Sequence, residues 1–308
     1  MPAIALATYA ALPSLAVDEH PLLAELKALG IDATPAVWDD SQVDWSVFDG
    51  VIVRSCWDYH VRYDEFFRWI DRTTALGVRV WNAPGTLRWN SRKTYLHDLS
   101  IGGVRTVPTL WLERGNPRLG SASLATILRD CGWDRAVVKP IISASAHETW
   151  CVSLDEACAN AAAHDERLRA IGARHGVMVQ PFVPEIESDG EWSLQFFGGV
   201  FSHAVLKRAA SGDFRVQREF GGTHERVVPA SRVLEQAERA LEAAPGQSVY
   251  ARVDGVVIVN DFVVTELELL EPSLFLDAHP EAPARFARAI AVGLGGEIGG
   301  GEIGVRVG

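Results

Sequence analysis

The sequence predicts a chain that opens as α/β and continues as α+β. Three observations carry this. The first third alternates short apolar runs of strand composition with runs of helical period. The middle third mixes the two in shorter pieces, as in a small α+β unit. The last third is rich in β-branched and aromatic runs joined by tight turns. Strand and helix in alternation, with buried-type strands, point to a doubly wound parallel sheet followed by two α+β subdomains.

The elements follow in order. Residues 3–8 are a short apolar strand. Over 21–29, Leu22, Leu23, Leu26 and Leu29 recur at helix spacing and Gly30 stops the helix. Strands are expected at 33–37 and at 50–54, the latter rich in β-branched residues. An amphipathic helix at 63–75 is ended by Gly77, and 78–81 is a strand. Asn82-Ala83-Pro84-Gly85 breaks the pattern and marks a boundary. In the middle third, a helix over 91–99 carries Lys93. Strands are expected over 107–112, 135–139, 149–152 and 176–180, with helices over 124–130 and 155–171. The last third predicts strands over 191–197, 200–206, 214–218, 250–259 and 262–269, and helices over 234–243 and 282–292. Gly198-Gly199 and Asn260-Asp261 read as hairpin turns. The expected divisions are 1–85, 86–180, 181–294 and a Gly-rich tail, 295–308, expected to be mobile and without a chemical role.

Composition narrows the function. The chain has 308 residues, is 48% hydrophobic and carries a net charge of -11. No Lys/Arg cluster could neutralise a row of phosphates, so nucleic acid is not the expected partner. The four cysteines form no CxxC pair, which suggests reduced thiols in a cytoplasm. The N-terminus has no basic segment before its first apolar strand, and no apolar run is long enough to span a bilayer. A cytoplasmic protein without a membrane partner is the expectation. The nine histidines show no HExxH spacing, and no GxSxG is present.

The chemistry concentrates at Thr265-Glu266-Leu267-Glu268-Leu269-Leu270-Glu271-Pro272. In an extended segment alternate side chains share a face, so Glu266 and Glu268 point the same way. With Asp254 on a preceding strand they form a set of hard oxygen ligands suited to Mg²⁺ and, through it, to nucleotide phosphates. The plainer alternative is a solvated acidic edge strand, against which stand the apolar residues flanking each acid. Arg252 shares a face with Asp254. It could offset charge developing on a transferred phosphoryl group, or be a structural ion pair. Lys139 ends an apolar strand beside a loop holding Ser143 and Ser145, a way to hold phosphates or simply a solvated turn. Gln180, Phe182 and Val183 lie in an apolar hinge that could form an adenine slot or a plain linker. Glu191, just beyond, could accept from ribose hydroxyls. Lys207, Arg208 and Arg215 are candidates for a substrate carboxylate or phosphate, and Ser273 for substrate. At a strand end, Arg54, Ser55, Trp57, Asp58 and Tyr59 could read an amino-acid-like substrate, Arg54 by its carboxylate and Asp58 by its ammonium. The alternative is that these residues pack a domain interface.

Taken in order, these features resemble the ATP-grasp superfamily across nearly the whole chain. The chain is most similar to its glutathione-synthetase and D-alanine–D-alanine ligase branch. Within that branch the stretches VRSCWDYH, NSRKTYL, GDFRVQ and ELELLEPSLF resemble the cycloserine-biosynthesis cyclo-ligases, whose substrate is O-ureido-serine. The resemblance implies two α+β subdomains clasping ATP. It implies Lys93 and Lys139 on phosphates and adenine, and Glu191 on ribose. Asp254, Glu266 and Glu268 would hold Mg²⁺, and Arg252 and Lys139 would steady the transition state. The implied reaction is ATP-dependent carbon–nitrogen ligation of a small amino-acid-like substrate through an acyl phosphate, in one form an intramolecular ring closure. A small-molecule kinase on the same scaffold and a non-catalytic ATP-binding regulator are the alternatives. A homodimer is compatible with the resemblance, and the residues do not settle it. Two departures stand out: many relatives have Asn where Glu268 stands, and the loop after Lys139 lacks glycine.

Overall fold

The computed structural model describes residues 1–210, 215–216 and 220–295. Four strands, β1 (Ala3–Thr8), β2 (Asp32–Val37), β3 (Gly50–Val53) and β4 (Arg79–Trp81), form a parallel sheet in the order β2-β1-β3-β4. Alternate side chains leave opposite faces, and both faces are covered. Ala5, Ala7, Val51 and Val53 pack with Phe66, Trp69 and Ile70 of α2 (Tyr63–Ala75). Ile4, Leu6 and Ile52 pack the other way, with Leu22 and Leu26 of α1 (His20–Ala28) and with Phe286, Ala287 and Ile290 of the last described helix, α11 (Ala282–Gly293). That helix follows the C-terminal strands in sequence but is buried against the first sheet. Gly50 is required by the approach of Trp81, whose ring would lie 2.1 Å from a Cβ there.

The boundary expected at 82–85 is the start of a helix, α3 (Pro84–Asn90). Pro84 sits in its first turn, where a missing N–H leaves no bond unmade. The single helix expected over 91–99 is not formed. Residues 91–94 make a turn before α4 (Tyr95–Ile101), and Lys93 lies on that turn, its N–H donating to the Ile141 carbonyl at 2.8 Å.

The second sheet is antiparallel, with β5 (Leu110–Leu112), β6 (Arg135–Pro140), β7 (Trp150–Ser153) and β8 (Val177–Pro181) in the order β5-β8-β6-β7. Helices α5 (Arg118–Ser121), α6 (Leu124–Cys131), α7 (Leu154–Ala159) and α8 (Ala161–His175) share its core. The Ala-rich helix expected over 155–171 is these last two, broken at Asn160. Ser153 and Glu156 close a capping box at the start of α7.

A short helix, α9 (Glu185–Ser188), leads into the third sheet. Here β9 (Glu191–Phe197), β10 (Val200–Arg208), β11 (Thr223–Val227), β12 (Tyr250–Ile258) and β13 (Asp261–Glu268) run antiparallel in the order β11-β10-β9-β12-β13, with α10 (Ser231–Glu242) against one face. The edge strand β11 was not expected, because most of its side chains are at least partly solvated and its apolar content is low. The strand expected over 214–218 falls mostly outside the described residues, as does the tail from 296 onward. No described helix is long and apolar enough to cross a membrane.

Candidate active site

The hairpin of β12 and β13 brings the acids together. Its register sets Arg252 opposite Glu268 and Asp254 opposite Glu266, so all four side chains share one face. Carboxylate oxygens of Asp254, Glu266 and Glu268 lie within 4.8 Å of one another. β13 is an edge strand, as the plainer reading of the sequence supposed, but it is not solvated there. Asn90 donates to the Leu267 carbonyl at 2.7 Å and accepts from the Leu269 N–H at 2.7 Å, and the Tyr95 hydroxyl accepts from the Leu267 N–H at 3.1 Å. Side chains of α3 and α4 thus complete the ladder that a further strand would supply.

Basic side chains converge on the same acids. Lys93 and Lys139 both reach Glu266 Oε1, at 2.8 and 3.2 Å. Arg252 forks onto Asp254, with Nε at 2.9 Å and Nη2 at 2.8 Å, and also meets Glu268 at 2.7 Å. Lys207 bridges Glu191 at 2.8 Å and Asp254 at 3.4 Å, and Ser193 donates to Asp254 at 2.5 Å. These partners divide the acids. Burial pushes Glu266 up, but Lys93 and Lys139 outweigh it and hold the carboxyl well below the ordinary range. Burial of Asp254 is likewise outweighed by Arg252 and Lys207, and its carboxyl is lowered. Glu268 goes the other way. Burial and the nearby charges of Asp254, Glu271 and Glu266 lift it to about 8 against the pull of Arg252.

This donor set fits a hard divalent cation. Oxygens around an octahedral Mg²⁺ stand about 3–4 Å apart, given metal–oxygen distances of ~2.1 Å. The observed spacing reaches that with small side-chain adjustment. Glu268 shares its cation, Arg252, with Asp254.

A cavity of about 730 Å³ opens on these residues. One end is an apolar slot of Val107, Val137, Phe182, Val183 and Ile186, beside Gln180, whose amide donates to Thr109 at 2.9 Å. Glu191 stands next to the slot and accepts from Thr265 at 2.6 Å. Ser143 and Ser145 line the wall after Lys139. That loop has no glycine, yet Ser145, Ala146 and Glu148 take left-handed φ of 48°, 52° and 55°. The lining also takes in Trp57, Tyr59, Arg215, Glu271 and Ser273.

The loop after β3 corrects part of the sequence reading. Arg54 is only 1% exposed and does not line the cavity. It donates to Glu19 through Nε at 2.7 Å and Nη2 at 2.5 Å, and to the Pro272 carbonyl at 2.8 Å. Ser55 also donates to Glu19, at 3.0 Å. Asp58 accepts from Trp38 at 2.9 Å and pairs with Arg62. A buried guanidinium needs a fixed anion beside it, and the donors of Arg54 are taken by Glu19 and the Pro272 carbonyl, not turned to the cavity. Arg54 packs between the first sheet and the segment after β13, Ser55 and Asp58 are held by partners within the first unit, and Trp57 and Tyr59 are the residues of that loop that line the cavity. Of the basic residues of β10, Arg208 points to the exposed Glu225, and only Lys207 enters the site.

The segment after β13 reveals what the buried residues do. It leaves the sheet, so its carbonyls need other partners. Leu269 accepts from Asn82 at 2.8 Å, Leu270 from Tyr250 at 2.9 Å, Glu271 from Trp57 at 3.2 Å and Pro272 from Arg54 at 2.8 Å. Ser273 accepts from Arg252 at 3.0 Å, and Leu274 and Phe275 from His203 at 3.1 and 3.0 Å. Seven successive carbonyls are thereby fixed by side chains from all parts of the chain. Asn82, Asn90, Tyr95, Tyr250 and His203 were not found by sequence reasoning. The signal available was weak: polar side chains set among apolar residues, which must find a partner once buried.

Two α+β units closing on a nucleotide-sized cavity, with paired lysines and an acid cluster on a hairpin, define the ATP-grasp class of ATP-dependent ligases. Residues 4–82 match the family described as the D-cycloserine synthetase DcsG N-terminal domain. Over 301 residues the chain is 32% identical to the cycloserine biosynthesis protein DcsG of Streptomyces lavendulae, covering 94% of this chain and 97% of that one. The crystal structure of D-cycloserine synthetase DcsG superposes with a TM-score of 0.85 at 29% identity, over 95% of this chain and 99% of that one. A RimK domain ATP-grasp protein from Sphaerobacter thermophilus shares the fold, with a TM-score of 0.69 at 16% identity over 94% and 99% of the two chains. The chain belongs to the D-cycloserine synthetase family of ATP-grasp ligases.

Proposed function

We propose that the protein phosphorylates the carboxylate of a small amino-acid-derived substrate with ATP, then joins that carbon to a nitrogen of the same molecule, as its D-cycloserine synthetase relatives suggest. The register of β12 against β13 carries this reading, because it sets three carboxylates and Arg252 on one face beside two lysines. Asp254, Glu266 and Glu268 would hold Mg²⁺, which when bound offsets phosphate charge. Lys93 and Lys139 exchange Glu266 for phosphate oxygens, and Arg252 meets the charge that develops during transfer. The adenine occupies the slot of Val107, Val137, Phe182 and Val183, with Glu191 on the ribose. Ser143 and Ser145 cover the phosphates and keep water from the activated carboxyl. The substrate lies at the end marked by Tyr59, Arg215 and Ser273.

The test is Mg²⁺-dependent phosphate release from ATP across a panel of amino acids, dipeptides and O-ureido-serine, with mass spectrometry of the products. Release stimulated by O-ureido-serine, with a cyclised product, supports the reading. A stable phosphorylated product in its place makes the protein a kinase. ATP binding with no stimulation by any carboxylate removes the ligase assignment for this substrate class.

A further inference from the structure

Glu271 lines the cavity, is 9% exposed, and has no hydrogen bond or ion pair to its carboxylate among the described residues. It differs in this from the neighbouring acids. Asp254 is held by Arg252, Ser193 and Lys207, Glu266 by two lysines, Glu268 by Arg252 and Glu191 by Lys207. Yet Glu271 is not loosely placed. Its own carbonyl is fixed by Trp57 and those on either side by Tyr250 and Arg54. The backbone therefore holds a buried carboxylate at the cavity wall, with no hydrogen-bonded or ion-paired partner for it among the described residues. Such a group costs stability, and it is retained where a ligand gives it work.

We propose that Glu271 accepts the proton of the attacking nitrogen in the bond-forming half of the reaction. This rests on the ligase reading above. The nitrogen lone pair attacks the activated carbonyl carbon, and the C–N bond forms as the C–O bond to phosphate breaks. Inorganic phosphate leaves with that electron pair, and the N–H proton passes to the Glu271 carboxylate. The groups facing Glu271 suit the role. Burial lifts its carboxyl, Lys93, Arg252 and Arg54 pull it back, and Glu266 lifts it again, to a value of about 7. A carboxyl poised there is ionised in part at neutral pH and basic enough to take a proton. Tyr59 and Tyr95 are pushed well above the ordinary tyrosine value by burial and the same acids, so both keep their protons.

The experiment separates the two halves in Glu271→Gln. Cyclised product from O-ureido-serine is measured by mass spectrometry. Activation is measured as ATP-dependent hydroxamate when hydroxylamine, uncharged at neutral pH, replaces the internal nucleophile. Product formation should fall by about 10²–10⁴-fold, hydroxamate by far less, and Glu271→Asp should recover part of the product. Equal loss of both, or loss of neither, overturns the assignment. If Glu271→Gln does not fold, the wild type decides. Its product rate should fall with acid below pH ~7 while the hydroxamate rate, taken per uncharged hydroxylamine, stays level, and a parallel decline of both on that basis overturns the assignment. A wild type that forms no hydroxamate with any carboxylate sinks the ligase reading, and this assignment with it.

Discussion

Arg54→Ala decides between the role the sequence suggested for this residue and the one its surroundings assign. The side chain is 1% exposed and its guanidinium lies 4.9 Å from the Tyr250 ring centre. Removing it leaves Glu19, itself 2% exposed, as a buried carboxylate without its cation. Breaking one partner of a buried pair costs about 3–5 kcal/mol. The Pro272 carbonyl also loses a donor, which adds roughly 1 kcal/mol or more. In a chain of this size the sum lowers the melting temperature by about 10 °C or more. Replacing both partners, Glu19→Leu with Arg54→Met, should cost clearly less than the two single changes added, because no charge is left buried alone. Thermal melts of the two singles and the double give the coupling, and steady-state kinetics run alongside. A variant Arg54→Ala with an unchanged melting temperature and a raised KM for the organic substrate alone would refute this account. It would return Arg54 to substrate recognition.

Three further outcomes are expected. Glu266→Gln should lower ATP turnover by about 10²-fold or more with the fold kept, and wild-type turnover would remove Glu266 from the metal set. Asn90→Ala should lower stability and activity together. It strips the Leu267 carbonyl and the Leu269 N–H of their partners, at about 2–5 kcal/mol, and a melting curve with a rate assay checks it. The two buried histidines should make stability fall with acid between pH 6.5 and 4, against Glu268 and Glu271, whose raised carboxyls take up protons first in the native state and favour the fold as the pH drops toward 4.5. Burial lowers His60 and His203 to about 4, below the ordinary 6.5. At these two sites the unfolded chain binds protons the native state refuses, so their contribution to stability rises with pH across this window. Each histidine contributes about 3 kcal/mol at the acid limit. Urea midpoints of the wild type and His203→Gln at pH 7.5 and 5 isolate it: acidification should cost the variant less stability than the wild type, and the same change in both would contradict this.

Much of the architecture could be read along the chain because it depends on local period. The strand at Ala3–Thr8, the helix Tyr63–Ala75 and the strand Glu191–Phe197 form where alternation or helix spacing predicts them. The departures have identifiable causes too. The helix expected across Lys93 breaks into a turn whose N–H is taken by Ile141, a partner far off in sequence. The strand Thr223–Val227 pairs through its backbone while most of its side chains face water, so no apolar alternation announces it.

The residue types of the acid cluster were also legible, because Glu266 and Glu268 two apart must share a face and few contexts tolerate that without a cation. Arg252, Lys93 and Lys139 were recognisable for the same reason: charge among apolar neighbours requires a counter-charge. Direction and pairing were not legible. Arg54 and Arg252 look alike on paper, both ending or lying within buried strands. One meets Glu19 inside a domain interface and the other meets Asp254 and Glu268 at the cavity wall. Glu271 belonged to the same run as Glu266 and Glu268, yet its carboxylate has no hydrogen-bond or ion-pair partner among the described residues. The sequence by itself determined the elements and the chemical kinds of residue, because both follow from spacing and side-chain type. Tertiary structure alone decided which charges are spent on each other and which remain for a substrate, because that depends on distances between segments that no local pattern encodes.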